Sequence, residues 1–310
     1  MKIVLSDIKS LENDFSSNVI VKHVNLNSIE EYNNNKDVVA IAGSRAMAIK
    51  CADMSLPGLR LFQLTSAGFD GVPCQKYAER NIAVANAGSV YSAPIAETVV
   101  FGMLTIAKKL RKNPNNRRVR ILNRSSEITE LLEKNVLIMG AGNIGTAVAE
   151  RLKGFEMNID GYDPYCDDKP QYRKIIRSKD ELLSRLSEYD YVVSTLPDND
   201  QTRKMIDKSF FFKMKKSAVV INVGRRAVFN EDDFYNALKK QIICGAVLDM
   251  FEKIPNPLQN KFRRLKNVVI IPGVSASSRE VNERLRIHMT NNILSAINGD
   301  EIKNVINGVK

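Results

Sequence analysis

Residues 136–155 read VLIMGAGNIGTAVAERLKGF. Four apolar residues run into Gly140, Gly142 and Gly145, spaced as GxGxxG, and an amphipathic helical pattern follows. Each glycine has its own physical reason. The first permits a tight turn out of a strand. The second lets a pyrophosphate approach the backbone, and the third lets the helix pack on the strand. The helix N-terminus, with Asn143 and Ile144 in its first turn, offers N–H groups and a partial positive charge to the phosphates. A GxGxxG triplet alone is weak. Here the next strand, MNIDGYD, ends at Asp163, 18 residues beyond Gly145. A carboxylate there can accept from the ribose 2′-hydroxyl of NAD. A 2′-phosphate would meet its charge instead, and no Arg or Lys follows Asp163 before Lys169. The sequence therefore points to NAD over NADP.

Outward from this loop, apolar runs alternate with helical stretches on both sides. KIVLSD, NVIVKHV, DVVAIAG, LRLFQLT and IAVANAG are strand candidates in the first ninety residues. SIEEYNNN and VPCQKYAERN between them look helical or turn-like. A second series holds NVLIM, MNIDGYD, DYVVSTLP, SAVVINVG, ICGAVLD and NVVIIPG. Its helical segments SKDELLSRLSEYD and NEDDFYNALKK carry Ser or Asn at the capping position. Such alternation implies parallel sheets with helices on both faces. A long helix is expected to start near Ser92, continue through Ile95, Val99, Met103, Ile106 and Leu110, and stop before Pro114. A final helix is expected over 278–298.

Charged residues make up 26% and hydrophobic ones 44%, the composition of an ordinary globular chain. Unbroken apolar runs fall far short of the ~18 residues of a membrane span, and the N-terminus reads as a strand, so no membrane role is expected. Four scattered cysteines, with no CxxC and only His23 and His288 as histidines, suggest no metal site and a reducing, cytoplasmic setting. The net charge is +11, and residues 108–124 hold eight Lys/Arg and no acid. A polyanion-binding strip is one reading. A solvated or subunit-contact segment is the favoured one, because no aromatic interleaves to stack on bases; nucleic acid is not the expected partner.

Further motifs follow in order: STLP (194–197), INVGRRAVFNEDDF (221–234) and GAVLDMFEKIP (245–255), with TSAGFDGV (65–72) and VYSAPIAE (90–97) earlier. With the glycine loop, they make the whole chain resemble the D-isomer-specific 2-hydroxyacid dehydrogenases. The resemblance implies an α/β fold of two domains, a doubly wound Rossmann NAD-binding domain (95–277) inserted in a flavodoxin-like substrate domain (1–94 and 278–310). It implies a reaction in the cleft between them, a small 2-keto or 2-hydroxy acid as substrate, and a homodimer. Arg225 matches the arginine that grips the substrate carboxylate and polarises the reacting oxygen, a task suited to a planar fork of fixed charge. Thr195, Leu196 and Pro197 match the loop beside the adenosine. Val223 and Gly224 border the cofactor, and Asp249 matches the contact to the nicotinamide amide. Ala67 and Gly68 match backbone donors for the substrate carboxylate, and Tyr91 a wall of that pocket. Arg226 stands where the family has glycine.

The pattern breaks at the acid/base pair. The family places a histidine after the proline that ends its last strand, and a glutamate that orients it. Gly273 and Ile254 stand at those positions. The joint change is coherent, since a glutamate without its imidazole would be an unpaired charge in a dry pocket. Loss of such a group costs about 10²–10⁴ in rate. Three readings follow. One is an oxidoreductase with another proton source, from Tyr91, Ser275, Ser277, Lys253 or a water beside Gly273. The second is a catalytically inactive NAD-binding sensor or partner protein. The third is a nucleic-acid binder on the basic strip. The first is preferred, because an NAD sensor has less need of the Arg225 fork. Glu252, His23 and His288 are not expected to stand in.

Overall fold

The computed structural model describes residues 2–11, 15, 17–112, 119–121, 128–249, 261–271 and 273–309. Ile254, Glu252, Lys253 and Pro272 lie outside them, as does part of the basic strip. The chain divides into two compact units, Met1–Tyr91 with Ser278–Lys310, and Ser92–Ser277. The sequence places this division at 94/95.

The first unit begins with β1 (Lys2–Ser6), β2 (Val19–His23), β3 (Val38–Gly43), α1 (Arg45–Cys51), β4 (Leu61–Leu64), α2 (Cys74–Ala78) and β5 (Ala83–Ala85). Its five strands are parallel, in the order β2-β1-β3-β4-β5, the flavodoxin-like arrangement. β3 and β4 are buried at every residue, which is why they read as continuous apolar runs rather than alternating ones. Helix α1 is not legible from periodicity. Ser44 caps it, its hydroxyl accepting from Met47 N at 3.4 Å. The edge strand β5 is covered by the C-terminal segment through an antiparallel bridge from Ala85 to Val305.

Helix α3 (Gly88–Ala107) differs from expectation at both ends. It starts four residues before Ser92, so Pro94 lies inside it. The Val90 carbonyl, which has no proline N–H to bond, accepts instead from Arg284 Nε at 3.3 Å. It ends at Ala107, where Lys109 takes a left-handed φ of 52°. Leu110 belongs not to the helix but to β6 (Leu110–Lys112), which pairs antiparallel with β7 (Val119–Ile121). By length and composition α3 could cross a membrane, a property hidden from a search for unbroken runs. In its most apolar window 56% of the residues are buried. At Gly102 a Cβ would stand 2.7 Å from Val247, so the helix lies tightly on the sheet of the second unit.

That unit continues with β8 (Asn135–Met139), α4 (Asn143–Lys153), β9 (Asn158–Tyr162), β10 (Lys174–Ile176), α5 (Lys179–Arg185), β11 (Tyr191–Ser194), α6 (Lys208–Lys213), β12 (Val219–Asn222), α7 (Glu231–Lys239), β13 (Gly245–Leu248) and β14 (Val268–Ile270). Its seven strands are parallel in the order β10-β9-β8-β11-β12-β13-β14, a dinucleotide-binding sheet whose order reverses between β8 and β11. Asn230 caps α7 as expected, accepting from Asp233 N at 3.4 Å. Ser178 stands at the start of α5 but its hydroxyl makes no cap bond. β10 and α6 escaped the sequence reading, being only 3 and 6 residues long. Helix α8 (Arg279–Asn298) returns to the first unit, packs on its sheet through Met289 and Ile293, and stops at Gly299 with φ 85°.

Asp160 on β9 is 1% exposed. Arg173 donates to it from Nε and Nη2 at 3.1 and 3.2 Å, and the buried Tyr189 hydroxyl at 3.0 Å. Asp160→Ala leaves Tyr189 without an acceptor and Arg173 without its fork. Urea unfolding followed by circular dichroism is expected to show a loss of about 2 kcal/mol. Asp160→Asn, which keeps an acceptor for Tyr189, is expected to cost less.

Candidate functional site

The second unit presents its chemistry at the carboxyl ends of β8, β11, β12 and β13, where a parallel sheet with a switch point binds ligands. Gly140 leaves β8 with φ 97°, a left-handed turn that glycine adopts without a Cβ penalty. A Cβ on Gly145 would stand 1.9 Å from the Gly140 carbonyl oxygen, so only glycine lets α4 start so close to the turn. At Gly142 no atom lies within 4 Å of where a Cβ would be; that side of the backbone is open for a ligand. The N–H groups of Gly142, Ile144 and Gly145 have no partner among the described residues. Free donors at the start of a helix are what a pyrophosphate requires.

Asp163 directly follows β9 and reaches this loop, its Oδ2 accepting from Ala141 N at 2.9 Å and its Oδ1 from Tyr165 N at 3.0 Å. Lys169 reaches it as well, donating to Ala141 O at 2.6 Å and to Thr146 Oγ1 at 3.3 Å. Spacing alone does not reveal this lysine. Thr195 Oγ1 donates to Met139 O and Gly140 O at 3.1 and 3.0 Å. Leu196 is buried, and Pro197 O accepts from Thr202 Oγ1 at 2.6 Å. Val223 and Gly224 both donate backbone N–H to Ser194 O. A Cβ on Gly224 would meet Leu196 O at 2.7 Å. The structure thus brings Gly140, Thr195, Leu196 and Gly224 together at one place.

Arg225 follows on this turn, half-buried, with extended backbone. Arg226, unexplained by the sequence, forms an ion pair with Glu231 at the start of α7. Lys261 joins the cluster, 3.4 Å from Glu231 and 2.5 Å from Asp232. These pairs tie the Arg225 turn to α7 and to the segment at Lys261–Arg264.

Asp249 is 2% exposed. Its carboxylate accepts from Ser275 N at 3.2 Å and from the Ser275 hydroxyl, and its carbonyl from Gly273 N at 3.0 Å. A carboxylate has room for about four bonds, so acceptor capacity remains for an amide. Gly273 itself has φ 69°, with no atom within 4 Å of a Cβ position. The position is therefore both open and left-handed.

The first unit holds Ala67, Gly68 and Tyr91. Residues 65–68 leave β4 as a loop whose four carbonyls are all bonded. Tyr91 Oη donates to Thr65 O at 2.6 Å, Ala87 N to Ser66 O at 3.1 Å, Asn86 Nδ2 to Ala67 O at 2.9 Å, and Ser66 Oγ to Gly68 O at 2.7 Å. The N–H groups of Ser66, Ala67 and Gly68 have no partner among the described residues. A loop with anchored carbonyls and unpaired donors has the chemistry to receive an anion. Tyr91 anchors it through Thr65 O, and burial pushes its phenol above the ordinary range. Burial pushes His288 below the ordinary range, with Nε2 3.0 Å from Asn86 O. It supports the fold beside the loop.

The switch-point sheet, the glycine loop and Asp163 define a protein that binds a nicotinamide dinucleotide. The NAD binding domain of the D-isomer specific 2-hydroxyacid dehydrogenases matches residues 100–275. This chain belongs to that family. It is 29% identical over 310 residues to a glyoxylate/hydroxypyruvate reductase B of an Enterobacter species, covering 96% of this chain and 94% of the other. It is 29% identical over 250 residues to the D-3-phosphoglycerate dehydrogenase of Methanocaldococcus jannaschii, of which it spans about half, 48%. Its fold matches that of a Sinorhizobium meliloti NADPH-dependent glyoxylate/hydroxypyruvate reductase solved with NADP and malonate. The TM-score is 0.75 and the identity 21%, covering 98% of this chain and 96% of the other.

Two glycines are expected to separate folding from binding. Gly145→Ala forces α4 off its turn, and thermal melting is expected to register a loss of about 3 kcal/mol or more. Gly142→Ala, at φ −71° in open space, is expected to leave the melting temperature in place. It should weaken NADH binding about tenfold, read by NADH fluorescence, because the methyl group stands where the pyrophosphate approaches.

Proposed function

We propose that this chain is a nicotinamide-dependent oxidoreductase that interconverts a small 2-keto acid and the corresponding 2-hydroxy acid, with NAD(H) preferred. The observation that carries the reading is the 65–68 loop. Its bonded carbonyls and unpaired N–H groups suit a carboxylate. The second unit supplies the cofactor loop and, on a neighbouring turn, the Arg225 guanidinium. The cofactor supplies or accepts the hydride. Arg225 holds the carboxylate and polarises the reacting oxygen through charge-assisted donors that strengthen as negative charge develops. Asp163 supports the preference for NAD, since a 2′-phosphate would approach a carboxylate. Lys169 is directed to Ala141 O and Thr146 Oγ1 beside it.

Of the other candidate proton donors, Ser277 is exposed and Lys253 lies outside the described residues, while two hydroxyls are engaged. Tyr91 donates its hydroxyl to Thr65 and Ser275 its hydroxyl to Asp249. A water in the open volume beside Gly273 is the proton source we assign. Weaker acid/base assistance of this kind costs about 10²–10⁴ in rate, so turnover is slow. We place the protein in the cytoplasm, which its four free cysteines suit, and as a homodimer on the family resemblance.

NADH is expected to bind, and its signal to decay on adding a member of a 2-keto acid panel that includes glyoxylate, hydroxypyruvate and 2-ketogluconate. Arg225→Ala is expected to lower that rate about 10²-fold or more while NADH still binds. NADH binding without oxidation by any keto acid would replace this reading with the non-catalytic one.

A further inference from the structure

Asn86 lies in the turn between β5 and α3, and every one of its polar groups has a partner. Its N–H donates to Asn304 O at 3.1 Å, and its side-chain oxygen accepts from Gly88 N at 3.1 Å. Its carbonyl lies 3.0 Å from His288 Nε2. A carbonyl only accepts, so Nε2 carries the proton in that contact. The remaining group, Nδ2, donates to Ala67 O at 2.9 Å.

The surroundings hold Asn86 in one arrangement. Asn292 on α8 is 2% exposed and donates to Gln63 Oε1 at 2.6 Å and to Lys303 O at 2.9 Å, while accepting from Lys303 N at 3.0 Å. Gln63 on β4 is fully buried and donates to Leu64 O at 2.9 Å. A buried polar network whose members are all paired admits few alternative geometries. Gln63 Nε2 also lies 3.4 Å from Ala85 O, next to Asn86, so this network joins β4, α8, the segment after α8 and the Asn86 turn.

The consequence falls on the loop. In a trans peptide the C=O and N–H point in opposite directions. A bond to Ala67 O therefore turns the Gly68 N–H away from Asn86, into the set of unpaired donors. We propose that Asn86 is the positioning residue of the carboxylate-binding loop. Its side-chain amide, carried on a backbone held by His288 and by the segment at Asn304, fixes the 67–68 peptide in the orientation that presents Gly68 N–H to a substrate carboxylate. The inference rests on the reading of this loop as the carboxylate receptor.

Malonate titrated into the full chain saturated with NADH, followed by calorimetry, is the test. Wild-type protein binds it saturably. Asn86→Asp keeps the shape of the side chain but replaces the donor with an acceptor facing Ala67 O. Its malonate Kd is expected to rise about tenfold. NADH affinity is expected to stay unchanged, and in turnover the keto-acid KM to rise more than kcat falls. His288→Leu, which releases the Asn86 carbonyl only, gives an intermediate rise and keeps the test alive should Asn86→Asp not fold. Wild-type malonate affinity in Asn86→Asp, with or without a lower melting temperature, would make Asn86 a structural residue and overturn the proposal. Absence of malonate binding in the wild type would overturn the carboxylate reading of the loop itself, and the proposal with it.

Discussion

Where a Cβ on Gly145 would stand, the carbonyl oxygen of Gly140 is 1.9 Å away. This approach of helix to turn organises the second unit. It brings α4 up against the end of β8, so that the first free N–H groups of the helix face the region beyond the strand ends. The turns that follow β11 and β12 fit against the same spot. Thr195 bonds both Met139 O and Gly140 O, and Gly224 lies against the 195–196 backbone. Three crossover connections thus converge with almost no side chain between them. Any residue larger than glycine at 145 or 224 would push them apart.

The first unit reaches a related end by another route. At its 65–68 loop, hydrogen bonds anchor four successive carbonyls and leave the N–H groups of 66–68 without a partner among the described residues. In both units, then, unpaired main-chain N–H groups stand where an anion could be received. Main-chain recognition depends on backbone path and tolerates change in nearby side chains. Such donors are kept whatever side chains stand at Gly273 and Ile254.

How much of this is legible in the sequence follows from the range of each interaction. The glycine loop, Asp163 and the buried parallel strands declare themselves within about twenty residues, because turn chemistry and apolar runs are local. The 65–68 loop is visible only through resemblance, since no composition signal marks a loop whose carbonyls are anchored from elsewhere. The Asn86 network is not visible at all. Gln63 and Asn292 are 229 residues apart in sequence, and an isolated Asn or Gln in an apolar stretch looks the same whether it meets water or a buried partner. Lys169 lies six positions beyond Asp163 in sequence, yet the chain folds back to bring it to Ala141. The boundaries of α3 failed for a tertiary reason too, since Arg284 takes the carbonyl that Pro94 leaves unbonded.

Gly273 carries a consequence for any side chain placed there. With φ 69° the backbone there occupies a region that costs an L-residue about 1–2 kcal/mol. A Gly273→His substitution would therefore install an imidazole on a strained main chain. Glycine occupies this backbone shape freely, so any side chain placed at 273 carries a conformational cost before it can do chemistry.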